Sequence, residues 1–306
     1  MTPIAVCIVS FRDPEQIVTC LDALGQSDFA EFEVVICENG GEAAFDALVA
    51  ALPPTMPGGQ PITPINAGAN LGYAGGVNVC MRARPDARGW WVLNPDTMVE
   101  RAALGALVRR LDRGDCHAVG GTLYHPGGMV QGYGGQWRPA LARAVSIGYG
   151  SSIDTPPDVA GVERSMNYLL GASMLIGRDF LATTGPMRED YFLYAEEVEW
   201  CLRGLSRGMR LGLAPDARIC HGQGGTTGSA NAVRDRPRLP VYMDERNKLL
   251  VVRDTTPAWL PIAIPASFIM ALLRFARRGA WRQWGHAMAG WRDGILGKRG
   301  MPPWLR

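Results

Sequence analysis

The sequence has no CxxC pair, no basic leader before its first apolar run, and no evident repeat or low-complexity tract. Its seven cysteines are scattered and several lie within apolar runs, so we expect buried, reduced thiols in a cytosolic protein. The first apolar run is short and starts at Ile4, so no signal peptide is expected. An apolar content of 47% excludes a disordered chain and is enough for a sizeable core.

Positive charge is scarce outside the C-terminal region, although the whole chain has a formal net charge of +2. From Thr255 onward there are eight Lys and Arg residues against one Asp, whereas acidic residues outnumber basic ones before that point. The acidic main body argues against nucleic acid as a partner. The basic tail, rich in Trp and Leu, favours contact with an anionic bilayer.

The C-terminal tail begins with an uncharged stretch, residues 255–273, whose 19 residues approach the length of a membrane-spanning helix. Pro257, Pro261 and Pro265 interrupt its first half, and a basic, Trp-rich segment follows. We therefore expect an in-plane anchor that holds a cytoplasmic protein at the inner face of the plasma membrane. The alternatives are a spanning helix and packing on the protein itself or on a second copy, as in a homodimer.

The first hundred residues alternate between strand and helix patterns. Short apolar runs such as PIAVCIVSF and FEVVICENG each precede a segment with helical spacing of apolar residues. This alternation predicts an α/β fold with a mostly parallel, doubly wound sheet, in which ligands bind at the carboxyl ends of the strands. Polar residues stand at those predicted ends: Ser10, Glu38, Asn39, Asn66, Asn94 and Asp96.

The middle of the chain has a weaker pattern. A helix is expected over AALGALVRRLDRG, and strands over AVGGTLYH and YLLGASMLIG. The glycine-rich segment 127–137 predicts turns or a hairpin, and residues 150–163, rich in Pro, Ser, Asp and Gly, predict a mobile loop.

The segment YFLYAEEVEW, residues 191–200, sets carboxylates directly behind an aromatic run. From Glu196 the apolar residues recur with helical spacing, so Glu196 and Glu197 fall in a first helical turn, where free N–H groups favour a charged carboxylate. Such a carboxylate suits a general base, although on this segment alone simple charge complementarity at a helix start is the stronger explanation. Glu199 is placed either to form an ion pair with Arg203 or to serve a functional role.

Several segments together resemble glycosyltransferase family 2, in particular its bacterial rhamnosyl- and galactofuranosyltransferase-like branch. The matching segments, in chain order, are IVSF, ICENGG, NAGANLGYAGGVN, LNPDT, LLGASMLIGRDFL, GPMREDYFLYAEEVEWCLR, APDARICHGQGG and ERNKLL. The resemblance implies a GT-A type fold with a Rossmann-like, doubly wound mixed sheet. It implies a nucleotide-sugar-binding half over residues 1–120, an acceptor-binding and catalytic half over 121–254, and a helical, membrane-associating tail over 255–306.

The same resemblance implies a divalent cation, Mg²⁺ or Mn²⁺, on the donor diphosphate. Asp96 in the NPD segment matches the metal ligand of the family's DxD-type motif, with Asn94 in its first position. His221 matches a metal- or diphosphate-binding histidine, and the glycines that follow it suggest a backbone that closes on a ligand. The alternatives are a turn or helix cap for the NPD segment and a structural histidine.

The resemblance also implies a donor site for a UDP- or dTDP-sugar. In the family an acidic residue at the position of Glu38 pairs with the base, and a carboxylate accepts the N3–H of uracil or thymine well. The remaining residues that match donor-binding positions are Ser10, Phe11, Asn39, Asn70, Gly72, Asn78, Asn94 and Asp96.

For catalysis, the family's second acidic residue is the base of an inverting transfer. Glu197 matches it, with Glu196 as the alternative base and as an acceptor contact. Trp200 offers a face for stacking on an acceptor sugar, or else a core aromatic. No QxxRW motif of processive synthases follows, so transfer of one or a few sugars is expected.

The expected function is therefore transfer of rhamnose, galactofuranose or a similar sugar to a glycan or polyprenyl-linked acceptor, in cell wall or surface polysaccharide synthesis. Two alternatives stay open. One is a sugar nucleotidyltransferase, although RDPEQ stands where that class has a glycine-rich basic loop. The other is a non-catalytic nucleotide-sugar-binding protein with a degenerate site.

Overall fold

A nine-stranded mixed sheet forms the centre of the protein in a computed structural model that describes residues 2–222 and 232–305. A separate hairpin of two strands, β8 and β9, lies beside it. The strands are β1 (Ile4–Ser10), β2 (Phe32–Glu38), β3 (Ile62–Asn66), β4 (Gly89–Leu93), β5 (Thr97–Val99), β6 (Ala118–Tyr124), β7 (Val130–Gly132), β8 (Gly135–Arg138), β9 (Arg143–Ser146), β10 (Ser173–Gly177) and β11 (Leu211–His221).

Two strands of the main path, β10 and β5, run antiparallel to all the others. Strands β3, β2, β1 and β4 are adjacent and parallel, and β10 then runs antiparallel between β4 and β6. Strand β11 is parallel to β6, and β5 closes the edge antiparallel to β11. The predicted doubly wound mixed sheet is confirmed, and the carboxyl ends of β1, β2 and β4 meet at one edge.

Helices connect and cover the strands as the sequence pattern predicted. Helix α1 shows why: Asp13 caps it by accepting the N–H of Gln16, and Pro14 occupies its first position. The helices are α1 (Pro14–Leu24), α2 (Glu42–Ala51), α3 (Gly72–Ala83), α4 (Ala103–Leu111), α5 (Val159–Ser165), α6 (Arg178–Thr184), α7 (Glu196–Ser206), α8 (Arg238–Thr255), α9 (Leu260–Arg274) and α10 (Trp281–Ile295).

Both faces of the sheet are buried. Alternate residues of β1 enter two different hydrophobic clusters, with Cys7 and Val9 on one face and Val6 and Ile8 on the other. Burial on both faces explains why the parallel strands appear in the sequence as continuous apolar runs. All seven cysteines are free and six are buried, as predicted, and burial raises the pKa of Cys20 to about 12.

Residue 120, where the predicted nucleotide-sugar-binding half ends, lies inside β6, so both halves contribute to one sheet. Two segments have more regular structure than the sequence predicted. Helix α5 begins inside the predicted loop 150–163 because Asp158 caps it by accepting the N–H of Gly161. In the glycine-rich segment 127–137, β7 pairs with β6 while β8 pairs with β9, so the segment contributes to two different sheets.

The C-terminal tail is helical and packs on the rest of the protein. Helix α9 continues through Pro265, which donates no backbone hydrogen bond. Helix α10 lies against α8, where the Tyr242 hydroxyl donates to Asp293 over 2.7 Å. Residues 257–278 have the length and hydropathy of a membrane span, and 22% of their most apolar window is buried within the protein.

Close packing of α10 on α8 depends on a glycine. A Cβ at Gly290 would lie 2.2 Å from the backbone oxygen of Tyr242, whereas a Cβ at Gly285, on the same helix, would meet no heavy atom within 4 Å.

We expect Gly290→Ala to lower the free energy of unfolding by about 1–3 kcal/mol, because the added methyl group forces the two helices apart. Gly285→Ala is the matched control and should be neutral or stabilising by up to ~1 kcal/mol through helix propensity. Urea unfolding of both variants measures the difference. Equal effects of the two substitutions would contradict the importance of this contact.

Candidate active site

One cavity of about 900 Å³ opens at the carboxyl ends of the parallel strands. The loop before α7 and the start of α8 complete its walls. The predicted site residues that line it are Ser10, Phe11, Asn39, Asn70, Gly72, Asn94, Asp96, Glu196, Glu197 and His221. The fold therefore brings together most of the predicted donor, metal and catalytic residues.

Glu38 lies behind the wall of this cavity and is fully buried. Its Oε1 accepts the backbone N–H groups of Arg12 (3.1 Å) and Gly40 (2.6 Å), and the Ser10 hydroxyl donates to Oε2. These donors hold the carboxylate and tie β1 to β2. The contact of Glu38 with a nucleotide base stays a prediction.

Asn39, Asn70 and Gly72 form a connected group beside the cavity. The Asn39 side chain donates to the Gly72 carbonyl (2.8 Å), and Asn70 Oδ1 accepts the Gly72 N–H (3.0 Å). Gly72 has a φ of 73°, and a Cβ there would lie 2.1 Å from the backbone oxygen of Phe192. Only glycine allows the loop before α7 to approach α3 so closely.

Asn78 is buried away from the cavity, contrary to the prediction of a donor contact. Its amide donates to the Met187 carbonyl and to Glu189, each over 2.9 Å, and its Oδ1 accepts the Met187 N–H. The side chain points from α3 towards residues 187–189, so it connects two elements instead of facing a ligand.

Asp96 and His221 lie side by side although 125 positions separate them in the chain. Strand β11 pairs with β5 so that His221 stands opposite Thr97, and this register brings Nε2 of His221 to 3.2 Å from Oδ1 of Asp96. On the other side of the ring, Nδ1 lies 2.9 Å from Oε1 of Gln131. The predicted glycine-rich closure is the segment HGQGGTTG, residues 221–228, and from residue 223 onward it lies outside the described residues.

Gln131 determines which nitrogen of His221 carries a proton. Its amide nitrogen lies 2.6 Å from the His221 carbonyl, to which it donates, and 3.0 Å from the His125 ring. Its oxygen must therefore accept from Nδ1 of His221, which leaves Nε2 directed at Asp96. The sequence analysis missed Gln131, and only its isolation among glycines set it apart.

The Asp96–His221 pair fits a divalent cation. A neutral Nε2 and a carboxylate oxygen are both acceptors, so a proton or a cation must lie between them. Adjacent ligands of octahedral Mg²⁺ lie roughly 3 Å apart, given metal–oxygen distances of about 2.1 Å. The observed 3.2 Å agrees with that spacing. Within residues 2–222 and 232–305, no group of three or more His, Cys, Asp or Glu could hold an ion, so a donor diphosphate would have to supply further ligands.

Asn94 also faces the cavity with unused hydrogen-bonding capacity. Its Oδ1 is buried and has no hydrogen-bond partner among the described residues. Its backbone is fixed, since the N–H donates to Ala172 and the carbonyl accepts from the Thr97 hydroxyl. A buried acceptor without a partner is unfavourable in the free protein, and a hydroxyl group of a bound sugar would satisfy it.

Glu196 and Glu197 begin α7, as predicted, and lie in the cavity wall. Burial and the charge of Glu197 hold the pKa of Glu196 well above its usual range, and one of its oxygens has no partner among the described residues. Burial raises the pKa of Glu197 to about 7, while hydrogen bonds from backbone N–H groups at the helix start oppose the rise. The two carboxyl groups therefore differ in their ease of ionisation.

Two further residues of α7, Glu199 and Trp200, have structural roles. Glu199 forms an ion pair with both ends of the Arg203 guanidinium, over 2.8 and 3.0 Å. Trp200 is fully buried, packs edge-on against Phe180, and donates its indole N–H to the Gly185 carbonyl over 2.7 Å. The predicted acceptor stacking on Trp200 is therefore wrong, and its core alternative holds.

Part of the cavity wall is apolar, which the sequence analysis did not foresee. Leu193, Leu239 and Leu305 line the cavity and belong to one hydrophobic cluster, so the loop before α7, the start of α8 and the C-terminal segment meet there. Tyr73 also lines the cavity and donates its hydroxyl to the Gly171 carbonyl over 2.9 Å. No local pattern marks these residues, because their only common feature is the surface that they share.

Among characterised proteins, the low-salt glycan biosynthesis hexosyltransferase Agl10 of Haloferax volcanii is 23% identical over 192 residues. The match covers 61% of this chain and 58% of that protein, so it spans little more than half the length of the relative.

Solved structures of glycosyltransferases have the same fold. The mannosyltransferase PcManGT from Pyrobaculum calidifontis, in complex with GDP-Man and Mn²⁺, has a TM-score of 0.59 at 15% identity, over 97% of this chain and 88% of that chain. GalNAc-T7 with UDP, GalNAc and Mn²⁺ has a TM-score of 0.60 at 12% identity, over 81% and 51%. S. aureus TarS 1-349 with UDP-GlcNAc has a TM-score of 0.53 at 12% identity, over 97% and 92%.

At these identities the structural likeness concerns the fold alone, and it confirms the predicted GT-A type fold. The family assignment rests on the match of the sequence. Residues 5–170, more than half of the chain, match Glycosyl transferase family 2, and the protein therefore belongs to that family.

Proposed function

We propose that this protein is an inverting glycosyltransferase that moves one or a few sugars from a UDP- or dTDP-sugar to a glycan or polyprenyl-linked acceptor in surface polysaccharide synthesis. The observation that carries the proposal is that the acidic pair Glu196–Glu197 and the pair Asp96–His221 line a single cavity. Such a transfer needs a base for the acceptor and a site for the diphosphate. Rhamnose or galactofuranose as the sugar rests on the motif resemblance alone.

Glu197 is the proposed base. Its pKa of about 7 lies near neutral pH, where a base is both ionised for part of the time and strong enough to take a proton. Glu196 keeps its proton more strongly, because burial raises its pKa further and Glu197 carries the charge beside it. This difference supports Glu197 over Glu196 as the base.

In the proposed reaction, Glu197 accepts the proton of an acceptor hydroxyl group. The hydroxyl oxygen forms a bond to the anomeric carbon from the face opposite the nucleotide, and the bond between that carbon and the diphosphate oxygen breaks. One displacement inverts the configuration at the anomeric carbon. Asn94, with its buried acceptor oxygen, is placed to orient the donor sugar.

Asp96 and His221 would hold the divalent cation, and Gln131 keeps the His221 ring in the orientation this requires. When bound, Mg²⁺ or Mn²⁺ would offset the negative charge of the departing diphosphate. The Mn²⁺ in two structural neighbours supports this assignment.

Donor binding tests the first half of the proposal. We expect UDP- or dTDP-sugars to raise the Tm in the presence of Mn²⁺ but not of EDTA, since a ligand at 100 times its Kd stabilises by about 2.7 kcal/mol. GDP-sugars belong in the same panel. Asp96→Ala should abolish the shift, whereas the control Asp86→Ala, at an exposed position, should retain it. A shift that survives in Asp96→Ala would exclude the proposed cation site.

Proton transfer tests the second half. Glu197→Gln should lower kcat by about 100-fold or more while donor binding is unchanged, because the amide cannot accept the proton. In the wild type, kcat/KM should rise tenfold per pH unit up to about pH 7 and then level off, since Glu197 must lose its proton before it can act. Steady-state kinetics from pH 5 to pH 9 measures both effects.

Glu199→Gln is the control for Glu197→Gln, on the same helix. It removes a buried ion pair with Arg203, so it should lower the Tm yet leave turnover in place. Full turnover in Glu197→Gln would contradict the assigned base. Donor binding without turnover in the wild type, against a broad set of acceptors, would instead support a non-catalytic binding protein.

We also propose that the tail holds the protein at the cytoplasmic face of the membrane. One side of α9 packs inward through Ala263, Ser267 and Ala271, and its other side is apolar and exposed. Basic side chains next to this surface match an anionic bilayer. The exposed apolar residues are Trp259, Ile262, Ile269, Leu272, Leu273 and Trp281, and the exposed basic ones are Arg277, Arg278 and Arg282.

The double variant Ile269→Glu/Leu273→Glu should lose flotation with vesicles that contain anionic lipid, because it places two charges on the exposed apolar side of α9. The control Val49→Glu, at an equally exposed residue of α2, should float like the wild type. Unchanged flotation of the double variant would contradict membrane contact through α9. A dimer in solution that the double variant disrupts would identify a second copy as the partner instead.

A further inference from the structure

The loop that leads into the acidic pair has an unfavourable backbone. Phe192, Tyr194 and Ala195 have φ values of 68°, 70° and 67°, in the left-handed region that residues other than glycine rarely adopt. Ala195 is the residue directly before Glu196, so the start of α7 depends on this conformation. Such a run persists only where the surrounding structure holds it, and strained backbone of this kind concentrates at functional sites.

A single buried side chain holds most of this loop. Asn247, on α8, is fully buried, and its amide nitrogen donates to the carbonyls of Tyr191 (3.0 Å), Leu193 (2.8 Å) and Tyr194 (2.7 Å). The two N–H groups of the amide are thus shared among three carbonyls of the loop. The side chain supplies these carbonyls with hydrogen bonds that a helix or a sheet would otherwise supply.

Neighbouring groups fix Asn247 and the loop in turn. Arg246 donates from Nε to Oδ1 of Asn247 (2.8 Å) and from Nη2 to the Tyr191 carbonyl (3.0 Å). From the opposite side, the Tyr73 N–H at the start of α3 donates to the Phe192 carbonyl over 2.7 Å. The loop is therefore bonded to α3 through Tyr73 and to α8 through Arg246 and Asn247. The acidic pair follows this loop directly.

We propose that Asn247 is a positioning residue for the transfer reaction, which holds residues 191–194 so that Glu196 and Glu197 face the cavity. The inference rests on the proposed function. Asn247 does not line the cavity and touches no substrate, so it acts through the carbonyls of the loop. Its loss should impair the chemical step without weakening donor binding, because Asp96, His221 and Asn94 belong to other elements.

The test compares Asn247→Ala with a matched control. Asn167→Ala removes another asparagine that bonds the backbone of a different element, strand β8, at the N–H and carbonyl of Trp137. We expect Asn247→Ala to lower kcat by about 100-fold, the loss typical of a misplaced catalytic group, with a donor Kd within about twofold of the wild type. Asn167→Ala should lower the Tm and keep its kcat.

A second measurement separates positioning from general destabilisation. Hydrogen exchange of the peptide that covers residues 191–198 should accelerate in Asn247→Ala and stay unchanged in Asn167→Ala. Arg246→Lys, which keeps the charge but loses the planar fork, serves if Asn247→Ala does not fold, and it should reduce kcat in the same manner.

The outcomes are distinguishable. A wild type with turnover and an Asn247→Ala variant with the same kcat would overturn the inference and leave the proposed function intact. Parallel loss of kcat and donor affinity would overturn it as well, because it indicates collapse of the whole site. A wild type that binds donor but transfers no sugar would overturn the proposed function and this inference with it.

Discussion

The burial of two adjacent carboxyl groups is the constraint on which the rest of the site depends. Glu196 and Glu197 lie together at the start of α7, and burial raises the pKa of both. Backbone N–H groups at the helix start offset part of this cost. They can do so only if the preceding loop takes its left-handed path, and that path requires the missing side chain of Gly72 and the amide of Asn247. The backbone conformation of the loop and the burial of the acidic pair thus depend on the same two contacts.

The other half of the cavity depends on strand register. Asp96 follows β4 of the parallel half of the sheet, and His221 ends β11, which lies between the parallel strand β6 and the antiparallel strand β5. Pairing of β11 with β5 sets His221 opposite Thr97, and Gln131 then directs Nε2 of the ring at the carboxylate. A shift of one residue in this register would turn the histidine to the other face of the sheet. The mixed sheet is therefore a requirement of the site as well as of the core.

The C-terminal tail packs on elements that form the site. Helix α10 packs tightly on α8, the helix that carries Asn247, and Leu305 lines the cavity. Arg299 forms ion pairs with Asp190 and Asp254, close to the loop before α7. The tail therefore supports the elements that form the cavity.

The alternation of strands and helices, the start of α7 at Glu196 and the polar residues at the strand ends can all be predicted from the sequence, because spacing and capping act over a few residues. How those groups are used depends on the packing of the folded chain. It turned Glu38 towards its neighbours, buried Trp200 in the core, and brought Gln131 to His221. Local pattern states where a side chain lies on its own element. Which groups meet depends on register and on packing between elements far apart in the chain, and no local pattern records either.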